Sequence, residues 1–138
     1  MEISQNECFL QDFLLLGIIS IILILSLRSY VNDLARTEIK EKMESLANEK
    51  FILLVNDEIT ENDSLILGLQ NIRSKTSSRN TGSVEINVTI RKENDFTRLR
   101  LIRSNSFQSK YWVFYNNYKT TSTYCIGEIN TNSLDKYR

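Results

Sequence analysis

From Phe13 to Leu27 the chain reads FLLLGIISIILILSL, and a run this apolar constrains the fold more than any other feature because it cannot be left in water. Counted from Phe9, through Leu10, Gln11 and Asp12, the span is about 19 residues. Roughly 20 are needed to cross a bilayer core as a helix. Isoleucine and leucine fall on every side of that helix, the pattern of a lipid-facing element rather than of one covering a soluble core. A cleaved secretory signal has a basic start and a small-residue cleavage site, whereas here Glu2, Glu7 and Asp12 precede the span and Arg28-Ser29-Tyr30 follows it. Retention as an anchor is expected. The basic residues after the span, Arg28, Arg36, Lys40 and Lys42, would by themselves place the carboxyl-terminal domain in the cytoplasm.

The transmembrane helix is expected over 13–29, after a short leader or flank at 1–12. It passes without a proline into a second helical pattern. Val31, Leu34, Ala35, Ile39, Met43, Leu46, Ala47 and Leu54 recur at three- and four-residue steps, so an amphipathic extension is expected over 30–56. Glu38 and Lys42 form an acid-before-base pair one turn apart, worth about 0.2–0.5 kcal/mol on an exposed helix. Arg36, Glu41 and Glu44 also suit a wet face. The remaining domain, 57–138, is small enough to bury only a modest core by itself. It needs the helix as a cover.

Asn, Asp, Ser, Thr and Gly dominate from Asn56 to Ser83, interrupted by Leu65-Ile66-Leu67-Gly68-Leu69, which reads as a loop with one buried turn. Ser74 to Gly82 has no apolar residue and is expected to be turn-rich. Beyond it the period changes. Val84, Ile86, Val88 and Ile90 alternate with Glu85, Asn87, Thr89 and Arg91, the mark of a half-buried strand. Lys92–Asp95 makes a turn, Phe96–Arg103 alternates again, Tyr111–Asn116 is aromatic, and Thr123–Ile129 closes the series. The expectation is an α+β fold in which a long amino-terminal helix, half membrane and half amphipathic, packs on a four-stranded antiparallel sheet.

Chemistry is sparse by comparison. There are 17 basic and 17 acidic residues and no histidine, so neither a chain devoted to nucleic acid nor a histidine base is indicated. Cys8 and Cys125 lack metal-ligand spacing. Cys125, in an alternating strand, reads as a small core residue. Asp57 with Glu58 and Glu61 with Asp63 are solvated loop carboxylates with no apolar pocket to perturb them. No catalytic, cofactor-binding or metal-binding residue is nominated, and no small-molecule substrate is expected. Arg98, Arg100 and Arg103 close to Trp112 have the composition of a single-strand nucleic-acid surface, but strict alternation of a wet face and a core face yields the same composition. Asn62-Asp63-Ser64 and Asn87-Val88-Thr89 match the glycosylation pattern, which is short enough to occur by chance.

The order of anchor helix, loop and antiparallel sheet resembles type IV pilins and pilin-like proteins. LRSYVNDLARTEIKEKMESLANEK is similar to the pilin segment after the membrane half-helix. SLILGLQ, VEINVTI, KYWVFYNN and TYCIGEI resemble cyanobacterial pilin-like chains, minor pilins among them. The resemblance implies a non-enzymatic structural subunit of a pilus, or fimbrium, that assembles with like subunits or other pilins through its amino-terminal helix, its domain periplasmic or extracellular. Family members carry an acidic residue four places after the first mature residue. Cleavage between Glu7 and Cys8 would give Asp12 that assembly role. The chain departs from the family in having Glu7 where glycine is usual, an acidic leader, and no helix-breaking proline. The alternative from another class is a single-pass accessory subunit of a membrane complex with a small partner-binding domain.

Overall fold

The computed structural model describes residues 5–76 and 82–137, with side chains from Phe9 onward in the first helix. The chain divides into two units, Met1–Val31 and Asn32–Arg138. One helix, α1 (Gln5–Ser45, 41 residues), supplies most of the first unit and opens the second. In the first unit every described residue from Phe9 to Tyr30 is exposed, including fourteen large apolar side chains between Phe9 and Leu27. The mean hydropathy of its most apolar stretch is 2.4, making this one helix that is long and apolar enough to cross a membrane. At 1.5 Å per residue, Phe9–Leu27 extends about 28 Å, near the thickness of a bilayer's hydrocarbon core. Ser20 and Ser26 return their hydroxyls to the carbonyls of Leu16 and Ile22, each at 2.8 Å, so these polar groups are satisfied without water.

The second unit is built on one antiparallel sheet. After α1 a single 3-10 turn, Leu46–Asn48, leads to an extended Glu49. The strands are β1 (Ile52–Val55), β2 (Glu58–Ile59), β3 (Glu85–Lys92), β4 (Asp95–Arg103), β5 (Lys110–Tyr115) and β6 (Gly127–Asn130), with α2 (Asp63–Gln70) after β2 and α3 (Lys119–Thr123) after β5. Their spatial order is β2-β1-β3-β4-β5-β6. The sheet therefore has six strands rather than the four expected. Ile52–Val55, read as the end of the amphipathic helix, is a strand paired with β3 through Ile52↔Arg91 and Val55↔Val88. The physical reason lies in the two residues that follow. Asn56 and Asp57 adopt φ of 50° and 67°, the left-handed pair that a two-residue hairpin requires, and they fold β2 back on β1.

The core lies between α1 and α2 on one side and the inner face of the sheet on the other. From α1, Ala35, Ile39, Met43 and the following Leu46 are buried at steps of four, four and three residues, while Leu34 stays 46% exposed. They meet Leu53, Val55, Ile86, Val88, Ile90, Leu99, Leu101, Tyr111, Val113, Tyr115 and Ile129. The segment expected as a buried turn is a full two-turn helix, α2. Asn62 caps it, its side chain accepting the Leu65 N–H at 3.0 Å, and Leu65, Ile66 and Leu69 enter the core.

The outer face is divided. Toward β5 and β6 it is covered: Trp112, Phe114 and Cys125 form a second buried cluster with Ile102 beside it. Arg73–Thr76 lie along this end, and Arg73 pairs with Glu128 in an isolated bridge along the outer edge of β6. Gly127 makes that approach feasible, because a Cβ there would lie 2.4 Å from the Arg73 carbonyl oxygen. Toward β1 and β3 the outer face is open.

Candidate functional site

Two polar constellations in the second unit stand out from the packing. The first surrounds Glu38, on α1 one residue before the buried Ile39, which sets it at the edge of the core. The Tyr115 hydroxyl donates to Glu38 Oε1 at 2.7 Å and the Tyr118 hydroxyl to Oε2 at 2.9 Å. Asn117 Nδ2 donates to Oε1 at 3.0 Å and to the Tyr115 hydroxyl oxygen at 2.6 Å. Lys42 Nζ sits 3.5 Å from Glu38 Oε1 and 3.7 Å from Asp95 Oδ2. The rings of Tyr115 and Tyr118 meet edge to face with centroids 6.1 Å apart. Thr121 steadies the loop below by donating to the Tyr115 carbonyl at 2.6 Å.

The electrostatics follow from this geometry. Burial works against ionisation of Glu38, but hydrogen bonds from Tyr115 and Tyr118 and the charge of Lys42 outweigh it, so its carboxyl titrates below the ordinary 4.5. Burial of Tyr115, reinforced by its bond to the Glu38 carboxylate, pushes that phenol well above the ordinary 10.0. The hydrogen bond to Glu38 likewise raises Tyr118. A carboxylate saturated by three donors and a cation is a fastener, not a base waiting for a substrate. It ties α1 to β5 and to the loop that precedes α3.

The second constellation is the outer face, whose rows follow from strand register. Directly paired residues share a face, which gives the rows Ile59–Leu54–Thr89–Arg98, Ile52–Arg91–Phe96, Asn87–Arg100–Phe114 and Glu85–Ile102–Trp112–Glu128. Arg100 lies over the Phe114 ring at 4.6 Å, donates to the Ser122 carbonyl at 3.0 Å, and stands 3.8 Å from Glu85. Arg103 donates from Nε to the Gln108 carbonyl at 3.0 Å. Trp112 is 2% exposed, with Lys75 Nζ 6.0 Å from its ring, so neither ring face is open to a stacking base. Of the four residues with nucleic-acid composition, Arg98 alone is exposed and without an ion pair among the described residues.

Glu128 was not singled out in the sequence. It is 1% exposed, accepts from the Thr76 N–H at 3.3 Å and from the Thr76 hydroxyl, and is paired with Lys110 at 3.6 Å. This buried carboxylate fixes the Lys75–Thr76 segment to β6. Burial raises the Cys125 thiol, which donates to the Gly127 carbonyl at 3.0 Å. It is a free cysteine inside the outer cluster. Among the described residues no group of histidine, cysteine or carboxylate side chains is arranged to hold a metal ion.

In the first unit, Asp12 is an exposed residue of α1 one turn after Phe9. The side chains of Glu7 and Cys8, the expected processing position, lie outside the described residues. Comparison with protein-family models, curated proteins and solved structures finds no match to this chain.

Proposed function

We propose that the chain is a non-enzymatic, membrane-anchored, pilin-like subunit that assembles into or primes a type IV pilus-like filament. One observation carries the reading: α1 presents apolar side chains on all sides from Phe9 to Leu27, then buries a single stripe, Ala35, Ile39 and Met43, against the sheet of the second unit. A single helix thus supplies both an anchor and a structural rib of the folded domain. Transfer of the apolar portion from lipid into a bundle of like helices would keep it dry in both states. In that bundle Asp12 needs a positive group, because a carboxylate in an apolar surrounding is costly unless paired. Electron microscopy of filaments sheared from cells that express the wild-type chain or Asp12→Ala tests this. Loss of filaments in the variant is expected, and filaments of normal number would remove Asp12 from assembly.

A second reading, an accessory subunit of a membrane complex that never polymerises, is favoured by the basic residues Arg28, Arg36, Lys40 and Lys42 behind the span. Lys119 is exposed at the start of α3 and serves as a reporter of sidedness. Cleavage there by trypsin added to spheroplasts fits the subunit of an external filament. Protection until the membrane is opened fits the accessory subunit.

A further inference from the structure

We propose that the open part of the outer sheet face binds the acidic β1–β2 hairpin of a second copy of this chain, joining folded domains head to tail. The inference deepens the filament reading and rests on it.

The basic half of the contact is set by register. Arg91 and Arg98 lie on the same face of adjacent strands, Arg91 opposite Phe96 and Arg98 opposite Thr89, so they are diagonal neighbours. Both are exposed, and neither forms an ion pair among the described residues. Arg91 is held over the Phe96 ring at 4.9 Å, which leaves its guanidinium edge free for an acid. Around them Ile52, Ile59 and Phe96 are 42%, 76% and 43% exposed. Arginine set among exposed aliphatic and aromatic side chains is the composition of a protein-binding patch, not of a merely solvated face.

The acidic half is on the same chain. Asp57, Glu58, Glu61 and Asp63 are all exposed, form no ion pair among the described residues, and have no basic residue between them in the sequence, the Lys136 ammonium reaching only the Thr60 hydroxyl at 3.4 Å. The left-handed backbone at Asn56 and Asp57 holds Asp57 and Glu58 on a tight hairpin at the sheet edge, with Glu61 just after β2 and Asp63 opening α2. Glu58 pairs with Val55, a core-facing residue, so it lies on the side of the sheet opposite Arg91 and Arg98. A single copy therefore cannot bring its own acids onto its own arginines through these rows. Two different surfaces of opposite charge on one molecule make a heterologous contact, which propagates instead of closing into a dimer. Within a chain of 17 basic and 17 acidic residues, these two groups thus lie apart, as a self-complementary subunit requires.

The test uses the full chain in nonionic detergent micelles, with two differently tagged copies mixed and one tag captured. Wild-type copies should co-purify at low salt and separate as salt screens exposed charges. R91E/R98E and D57K/E58K should each weaken self-capture about tenfold, the scale on which opposed like charges act at an interface. Mixing the two variants should restore it, because only that combination recreates opposite charges. Trp112 fluorescence identical to wild type certifies that each variant is folded. Capture that is equal in wild type and both variants, or absent in wild type, overturns the proposal, as does a mixed pair that fails to recover. Binding of an added single-stranded oligonucleotide that is lost with R91E/R98E, without self-capture, assigns the face to a polyanion and also overturns it. Filaments persisting when pairing fails would leave the filament reading standing, and salt-dependent pairing without filaments would do the reverse.

Discussion

Replacing Tyr115 by Phe removes one hydroxyl from the Glu38 constellation and little else, since the ring keeps its place in the core. Two bonds are lost, a 2.7 Å donation to a carboxylate and the 2.6 Å donation that the hydroxyl accepts from Asn117 Nδ2, which keeps Glu38 as its other acceptor. Hydrogen bonds to charged groups contribute about 1.5–3 kcal/mol when buried. Glu38 has a side chain 28% exposed and retains Tyr118, Asn117 and Lys42, which argues for the low end, about 1–1.5 kcal/mol. Urea unfolding of the full chain in nonionic detergent, followed through Trp112, reads this directly: the chain has a single tryptophan, buried in the sheet, and it reports the second unit alone. The pH dependence separates this cause from simple packing loss. Glu38 has a folded pKa below the ordinary 4.5, so its contribution is complete above that value and fades as pH falls through the folded pKa. Tyr115 has a folded pKa above 10.0, so its contribution is complete below pH 10 and is lost as pH rises toward the folded value. The wild-type advantage over Tyr115→Phe should therefore be level between about pH 5 and 9 and narrow on either side. A gap that stays constant from pH 3 to pH 11, or no gap at neutral pH, would refute the assignment of Glu38 as the fastener.

Two further outcomes follow from burial. Ile39→Ala, at a fully buried site where α1 meets the sheet, should cost about 2–5 kcal/mol by the same urea assay, whereas Leu34→Ala, on the exposed flank, should stay within about 0.5 kcal/mol. Ile22→Arg should oppose membrane insertion by about 2.5–3.5 kcal/mol and move the protein into the soluble fraction after alkaline extraction, while Trp112 fluorescence stays native because the second unit is untouched.

The parts of the fold that were legible in the sequence are those where one period persists long enough to be read. The alternation from Val84 to Arg91 and from Phe96 to Arg103 became β3 and β4, and the stripe Ala35, Ile39, Met43 became the buried edge of α1. The β1–β2 hairpin was hidden by coincidence. Leu54 falls eight residues after Leu46, in phase with the helix, and Asn56-Asp57 is a weaker turn signal than Asn-Gly. Tyr111–Tyr115 carried a clue to the outer cluster. A strand apolar at every position is covered on both faces, and here Trp112 and Phe114 turn away from the main core while Tyr111, Val113 and Tyr115 enter it. The Glu38 fastener could not be read. Its Lys42 partner is local, but Tyr115, Asn117 and Tyr118 lie 77, 79 and 80 residues away, and only the folded sheet brings them to α1.

The two rims of the sheet carry a last consequence. One rim ends in a strand only two residues long, and the other is sealed by the Arg73 bridge to Glu128. Neither offers the uninterrupted row of amides on which neighbouring proteins stack into amyloid-like ribbons. Under the membrane-anchored reading proposed above, copies held at the high two-dimensional density of a bilayer would therefore crowd with neither rim offering a route to main-chain fusion.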